Sequence, residues 1–227
     1  MPERSYQPVR VWDLPTRLFH WVLALCIVAS VVTAKIGGGA MDWHFRCGYV
    51  VLTLLAFRVV WGLVGGRWSR FASFIYAPAT VLRYLRGQVK PGEHLDVGHN
   101  PLGSFSVFGL LAILALQVAT GLVADDEIAY SGPLNRLVET ATAEVATSWH
   151  KTWGQWIILG LVALHIAAIV YYLRRKRVNL VRPMVLGDKR LPPGTPASAD
   201  GTPQRVLAVL IVALCAVGAY WVAVQGG

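Results

Sequence analysis

TWGQWIILGLVALHIAAIVYYL, the run from Thr152 to Leu173, contains no Asp, Glu, Lys or Arg. A helix that crosses a bilayer needs about 20 mostly apolar residues, and this run is long enough. His165 lies inside it and His150 two residues before it. Outward along the chain, Leu18–Ala34, Phe105–Ala124 and Val206–Gly227 are equally free of charge, and His44–Val64 is broken only by Arg46 and Arg58. The whole chain of 227 residues is 55% hydrophobic and 15% charged, with a mean hydropathy of +0.51. A water-soluble domain carries about a quarter charged residues, so a soluble enzyme and a disordered chain are both excluded. Five spans of about 20 residues make nearly half the chain, which reads as one all-α integral membrane domain.

The formal charge of +9 is distributed as membrane topology. Basic residues gather at Arg4, Arg10 and Arg17 before span one, at Arg67, Arg70, Arg83, Arg86 and Lys90 between spans two and three, and from Arg174 to Arg205 between spans four and five. The alternate loops hold Lys35, Arg46, Arg136 and Lys151 beside acidic Asp42, Asp125, Asp126, Glu127, Glu139 and Glu144. The positive-inside rule predicts a cytoplasmic N-terminus and a C-terminus outside. No nucleic-acid partner is implied; the partner is lipid. The first run reads as an uncleaved helix rather than a signal peptide, because it is long and carries His20 and Trp21. Cys26, Cys47 and Cys215 form no C-x-x-C pair, which leaves covalent haem attachment, zinc and a disulfide framework unsupported.

Between the spans, Asp13 or Thr16 is expected to cap span one, with Pro15 in its first turn. Ala77–Leu85 reads as a short amphipathic helix on the inner surface. Asp125–Trp149 reads as a turn-rich acidic cap containing Gly132-Pro133. Leu191–Gln204, with four prolines, reads as a linker without the apolar content to pack. Nine tryptophans, among them Trp12, Trp21, Trp43, Trp61, Trp149 and Trp153 at span ends, suit an aromatic belt. Gln117 and Thr120 in span three are expected to bond neighbouring helices. The expected organisation is a transmembrane domain over 1–190 with spans at 15–35, 44–64, 104–124 and 150–173, a Pro-rich linker at 191–204, and a further helix at 205–227.

Ionisable residues at membrane depth are costly and point to function. Four of six histidines lie in or at the ends of spans, and the alternating direction of the spans sorts them by level. His44 and His150 fall at the outer level, His20 and His165 at the inner one. The two on span four are about 22 Å apart along an α-helix and about 60° apart in azimuth. Facing imidazoles at one level are what a six-coordinate haem iron requires. Small residues at Gly48 and Gly154 leave room for a macrocycle, and Arg17, Arg46, Arg58 and Lys151 are placed to neutralise propionates, although Arg58 could instead snorkel. A single interfacial histidine is more often a hydrogen-bonded belt residue; two level-matched pairs favour ligation of two haems. A proton-coupled transporter would prefer embedded Asp or Glu, and no span holds one. His94 and His99, in the loop, are expected to be solvated or capping.

Val11-Trp12-Asp13-Leu14-Pro15-Thr16-Arg17-Leu18-Phe19-His20-Trp21 resembles the opening motif of the prokaryotic cytochrome b561 family, which includes the b-type cytochrome subunits of nickel–iron hydrogenases. Gly98-His99-Asn100-Pro101-Leu102-Gly103, Thr120-Gly121-Leu122 and Asn179-Leu180-Val181-Arg182-Pro183-Met184 are similar to the same pattern. The resemblance covers about Val9 to Arg190. It implies a four-helix transmembrane bundle with two b haems, ligated by His20 with His165 and by His44 with His150. It also implies electron transfer across the membrane between quinone and a protein partner such as a periplasmic cytochrome c or a hydrogenase-type subunit. By the same resemblance the membrane is the bacterial inner membrane, and the outside, where the C-terminus lies, is the periplasm. Lys151 departs from the acidic residue expected after His150, and the fifth span lies beyond the usual core. A haem-containing anchor for a hydrogenase-type complex, and a quinone-linked oxidoreductase acting on a small oxidant, remain open on the residues alone. No catalytic acid, base or nucleophile stands out.

Overall fold

The computed structural model describes residues 6–90 and 92–226, so Arg4 and Gly227 lie outside the described residues. The protein is an all-α integral membrane protein. Among the described residues, five helical stretches are long and apolar enough to cross a bilayer: Leu14–Ile36, Gly38–Val64, Pro101–Val123, Thr140–Arg174 and Thr202–Gly226. They carry outward-facing apolar side chains such as Leu25, Ile36 and Leu214, each at least 69% exposed. Only a lipid surrounding makes that arrangement favourable. The main helices are α1 (Leu14–Ile36), α2 (Met41–Val64), α3 (Pro78–Leu85), α4 (Pro101–Val123), α5 (Thr140–Ser148), α6 (Gln155–Arg174), α7 (Val181–Leu186) and α8 (Thr202–Ala223). The chain divides into two compact units, each built from segments of several helices.

The first unit comprises Met1–Leu18, Arg58–Phe108 and His165–Val209. Its ribbon pairs β1 (Gln7–Arg10) antiparallel with β2 (Asp188–Leu191), Gln7 opposite Leu191 and Arg10 opposite Asp188. Four-residue strands are too short to show a period-two signal in the sequence. Val9 and Val11, two residues apart, share a buried cluster with Trp12, Trp68, Val97 and Leu191, and Met184 packs against it. Asp13 is the cap of α1: its Oδ1 accepts the Thr16 N–H at 2.8 Å. Thr16 instead donates its hydroxyl to Ser69 Oγ at 2.8 Å. Fully buried, Asp13 also accepts from Trp61 Nε1 at 3.1 Å and from Ser69 Oγ. Trp12 and Trp61 are therefore core residues rather than members of an interfacial belt.

The segment 191–204 also departs from expectation, because it packs. Ser198 is buried and donates its hydroxyl to the Val11 carbonyl at 2.8 Å, while Trp68 Nε1 donates to the Pro196 carbonyl at 2.8 Å. Asp200, its side chain 6% exposed, lies 3.5 Å from Arg10, 3.9 Å from Arg17 and 3.4 Å from Arg205. It also accepts the Leu14 N–H at the start of α1. Hydrogen bonds and charge hold the segment, so its low apolar content was no guide. Helix α3 forms where expected, opening at Pro78. From within it, the Arg83 guanidinium pairs with Glu93 at 2.7 Å and, with the Lys90 amide, brings the Glu93 carboxyl down to about 2.

The second unit comprises Phe19–Phe57, Gly109–Leu164 and Leu210–Gly227. The loop after α4 folds back over the end of that helix: Gly132 N–H donates to Ala124, Leu134 N–H to Leu122 and Asn135 Nδ2 to Val123. A Cβ at Gly132 would come within 2.5 Å of the Gly121 and Leu122 carbonyls, so glycine permits the closure. Asp126 accepts the amides of Tyr130, Ala129 and Ile128, which hold its carboxyl at about 2. The acidic cap is shorter than expected, since Thr140–Ser148 is helical and runs through a π turn, Trp149–Gly154, into α6. An azimuth counted at about 100° per residue assumes α-geometry and does not carry through that turn.

Candidate haem-binding site

His44, on α2, and His150, in the π turn, face each other in the second unit. Their ring centroids are 5.9 Å apart and their planes stand at 89°. His44 Nδ1 lies 2.9 Å from the Ser30 carbonyl and His150 Nδ1 lies 2.8 Å from the Gln117 carbonyl. A carbonyl only accepts, so each Nδ1 carries the proton and each Nε2 presents a lone pair. That tautomer is the one a metal-binding histidine adopts, its second nitrogen bonded to the backbone. Two imidazoles each about 2 Å from one metal would put their centroids about 6 Å apart, so the pair fits a single iron.

Small residues shape the site differently from one another. A Cβ on Gly121 would stand 2.6 Å from His150 Cε1, so the ring reaches its position only because α4 has no side chain there. Around Gly48, one turn beyond His44, no atom of another helix lies within 4 Å of where a Cβ would sit. Gly154 serves another group: a Cβ there would meet Gln117 Oε1 at 1.8 Å. Gln117 Nε2 donates to the His150 carbonyl at 2.9 Å, so its helix–helix bond goes to the candidate ligand's own backbone. Thr120 does not bond across helices; its hydroxyl returns to Leu116 and Gln117 on its own helix. Arg46 stacks 4.9 Å over the Trp43 ring, and Lys151 is exposed.

The other pair divides between the units. His20 lies half-buried in the second unit, with the Trp21 ring edge-on at 5.0 Å. His165 lies half-buried in the first. In the first unit, Arg58 is 3% exposed and packs 4.6 Å from the Phe71 ring, so it does not snorkel. Its Nη1 is buried without a hydrogen-bond partner, and so is Arg17 Nε, although Arg17 Nη1 reaches the Val185 carbonyl at 2.7 Å. Orphaned guanidinium donors are unfavourable when buried. A carboxylate such as a haem propionate satisfies them, so these residues fit the group. His99 is half-buried rather than fully solvated, its ring packed against Trp12 at 4.7 Å and Phe74 at 4.8 Å. Asn100, its neighbour, caps α4 by accepting the Gly103 N–H. His94 is exposed beside Trp68.

The model of the family described as prokaryotic cytochrome b561 matches residues 11–187. The chain belongs to that family. It is a multi-pass membrane cytochrome of the b type, which implies haem b as its cofactor and electron transfer as its work. Among curated proteins it is similar to the probable Ni/Fe-hydrogenase 1 B-type cytochrome subunit of Escherichia coli (strain K12), 26% identical over 190 residues, covering 69% of this chain and 80% of that one. The probable Ni/Fe-hydrogenase B-type cytochrome subunit of Azotobacter vinelandii is 28% identical over 222 residues, covering 81% and 89%. That of Bradyrhizobium diazoefficiens is 26% identical over 215 residues, covering 80% and 86%. No solved structure matches the chain.

Sequence reasoning missed Ser30 and Gly121 at this site, and it expected of Gln117 a bond to a neighbouring helix but not that the bond would go to a candidate ligand. Ser30 acts through its backbone, which no side-chain pattern reports. A lone glutamine and a glycine one turn apart in an otherwise apolar span were the available signal for the other two.

Proposed function

We propose that the chain binds two haems b and carries electrons across the bacterial inner membrane, between the quinone pool and a periplasmic redox partner. His44 and His150 would hold the outer haem, His20 and His165 the inner one. The observation that carries the reading is the facing His44–His150 pair, with both Nδ1 protons committed to backbone carbonyls. Bound there, haem b supplies reversible one-electron chemistry between ferric and ferrous iron. The Ser30 and Gln117 carbonyls orient the rings and raise their basicity. Arg17 and Arg58 would hold the propionates of the inner haem, and their positive charge would favour its reduced state.

The partner we propose is a hydrogenase-type subunit, as the names of the similar proteins suggest. Asp125, Asp126 and Glu127, in the loop assigned to the periplasm by the positive-inside rule, would steer a basic docking face, with the strongest effect at low ionic strength. A periplasmic cytochrome c would recognise the same charges. Pyridine haemochrome analysis of the purified protein is expected to give two haems b per chain. His44→Ala and His20→Ala are each expected to remove one of them. A colourless preparation from haem-sufficient cells overturns the function, and variants that keep both haems reassign the ligands. Rapid haem reduction by quinol or by hydrogenase with hydrogen then separates an electron carrier from a passive anchor.

A further inference from the structure

Gln117 touches His150 twice, once through its backbone and once through its side chain. The Gln117 carbonyl accepts from His150 Nδ1 at 2.8 Å, and Gln117 Nε2 donates to the His150 carbonyl at 2.9 Å. Only the N–H end of an amide can face a carbonyl, so the orientation of the side chain is settled by its partner. In that orientation Gln117 Oε1 is buried with no hydrogen-bond partner. An amide placed simply to join two helices would satisfy both ends; this one leaves its acceptor unmet to keep its donor on His150. The surroundings make the contact possible. Gly154 clears the space the amide fills, and Gly121 clears the space the imidazole fills. The His150 backbone belongs to the π turn, where the ordinary helical bonding register is interrupted.

We infer that Gln117 is a positioning residue for the outer haem, gripping His150 by ring and backbone and thereby setting the potential of that haem alone. This rests on the proposal that His44 and His150 are axial ligands. The grip fixes the direction of the Nδ1–H bond, and a well-aligned bond to a carbonyl makes the imidazole a stronger donor that favours ferric iron. Freeing the His150 backbone lets the ring turn and weakens that bond, which moves the potential upward.

The test uses the purified holoprotein, comparing wild type with Gln117→Met, which keeps the length of the side chain but removes the donor. Redox titration followed by optical and low-temperature EPR spectroscopy reads each haem separately. The expected result is two haems retained, an upward shift in the potential of the His44–His150 haem, a shifted low-spin EPR signal for it, and no change in the other. Gly154→Ala, which drives a Cβ into the amide while leaving Gln117 in place, is expected to reproduce the same spectral shift. Unchanged potentials and EPR signals in Gln117→Met overturn the inference, and so do equal shifts in both haems. Failure of both variants to accumulate with two haems, while Thr120→Val does, also overturns it in favour of a structural bond. If His44→Ala removes no haem from the protein, the ligand proposal itself fails; if it does and Gln117→Met is silent, only the grip fails.

Discussion

The first unit and the second unit hold their buried polar groups by different means. In the first, two carboxylates gather the donors: Asp13 takes Trp61, Ser69 and the Thr16 amide, and Asp200 takes three arginines. In the second, the imidazoles of His44 and His150 are held by backbone carbonyls of α1 and α4. A helical carbonyl has a second lone pair after its ladder bond, and a side chain one turn on tends to cover it. Ser30 is followed at that spacing by Ala34, and Gln117 by Gly121. Small residues thus leave these carbonyls within reach of the imidazoles, which share them with the Thr33 and Thr120 hydroxyls. Backbone acceptors cannot be removed by substitution, whereas their access can be blocked; side-chain acceptors can be deleted outright.

The largest effect is expected where access is blocked. Gly121→Val puts bulk within 2.6 Å of His150 Cε1 and should remove one of two haems per chain while leaving the protein in the membrane, as pyridine haemochrome and Western quantification would read. Retention of both haems would show that the ring is held by something other than the open face of α4. Next, Asp13→Ala strands the Trp61 and Ser69 donors and removes the cap of α1. It should destabilise the protein by about 2–4 kcal/mol, seen as a lower melting temperature in detergent, with Asp13→Asn milder because it keeps an acceptor. Should Asp13→Ala instead abolish the His44–His150 haem as completely as Gly121→Val, the two units would not be separable in this sense.

Asp200→Ala is expected to be weaker still. Its pairs with Arg10 and Arg205 are partly exposed, and such pairs contribute about 1 kcal/mol or less each. Limited proteolysis within 191–204 should accelerate before any haem is lost. The smallest effect concerns pH. Asp126 has its folded-state pKa depressed to about 2, so its contribution is fully present above the unfolded value of about 3.9 and lost as pH falls through about 2. Amide exchange in residues 125–131 should therefore stay flat from pH 7 to pH 5, after correction for intrinsic rates. Loss of protection already at pH 6 would assign the loop's order to another group.

Much of the architecture was legible because lipid imposes a coarse and strict pattern. A run without charges must be a helix long enough to cross, and each of the five runs falls on such a helical stretch, the second and fourth beginning well ahead of their runs. The fourth stretch begins at Thr140, and its π turn falls at His150, where a one-residue change of backbone register has no compositional mark. The ribbon of β1 and β2 was illegible for a related reason: it is too short to be periodic, and its partners are separated by almost the whole chain. Trp12 and Trp61 show the limit of reading position alone, since a tryptophan at a span end can serve the interface or a buried carboxylate.

The chain's own letters determined that it lives in a bilayer and which family it resembles, because hydrophobic length and residue type are local properties. The tertiary structure decided which nitrogen of His44 and His150 carries the proton, that Gln117 and Gly121 serve His150, and that Asp13 and Asp200 anchor segments far apart in sequence. Those outcomes depend on backbone carbonyls and on distances between helices. A carbonyl is the same on every residue, so only the fold can say which one is within reach.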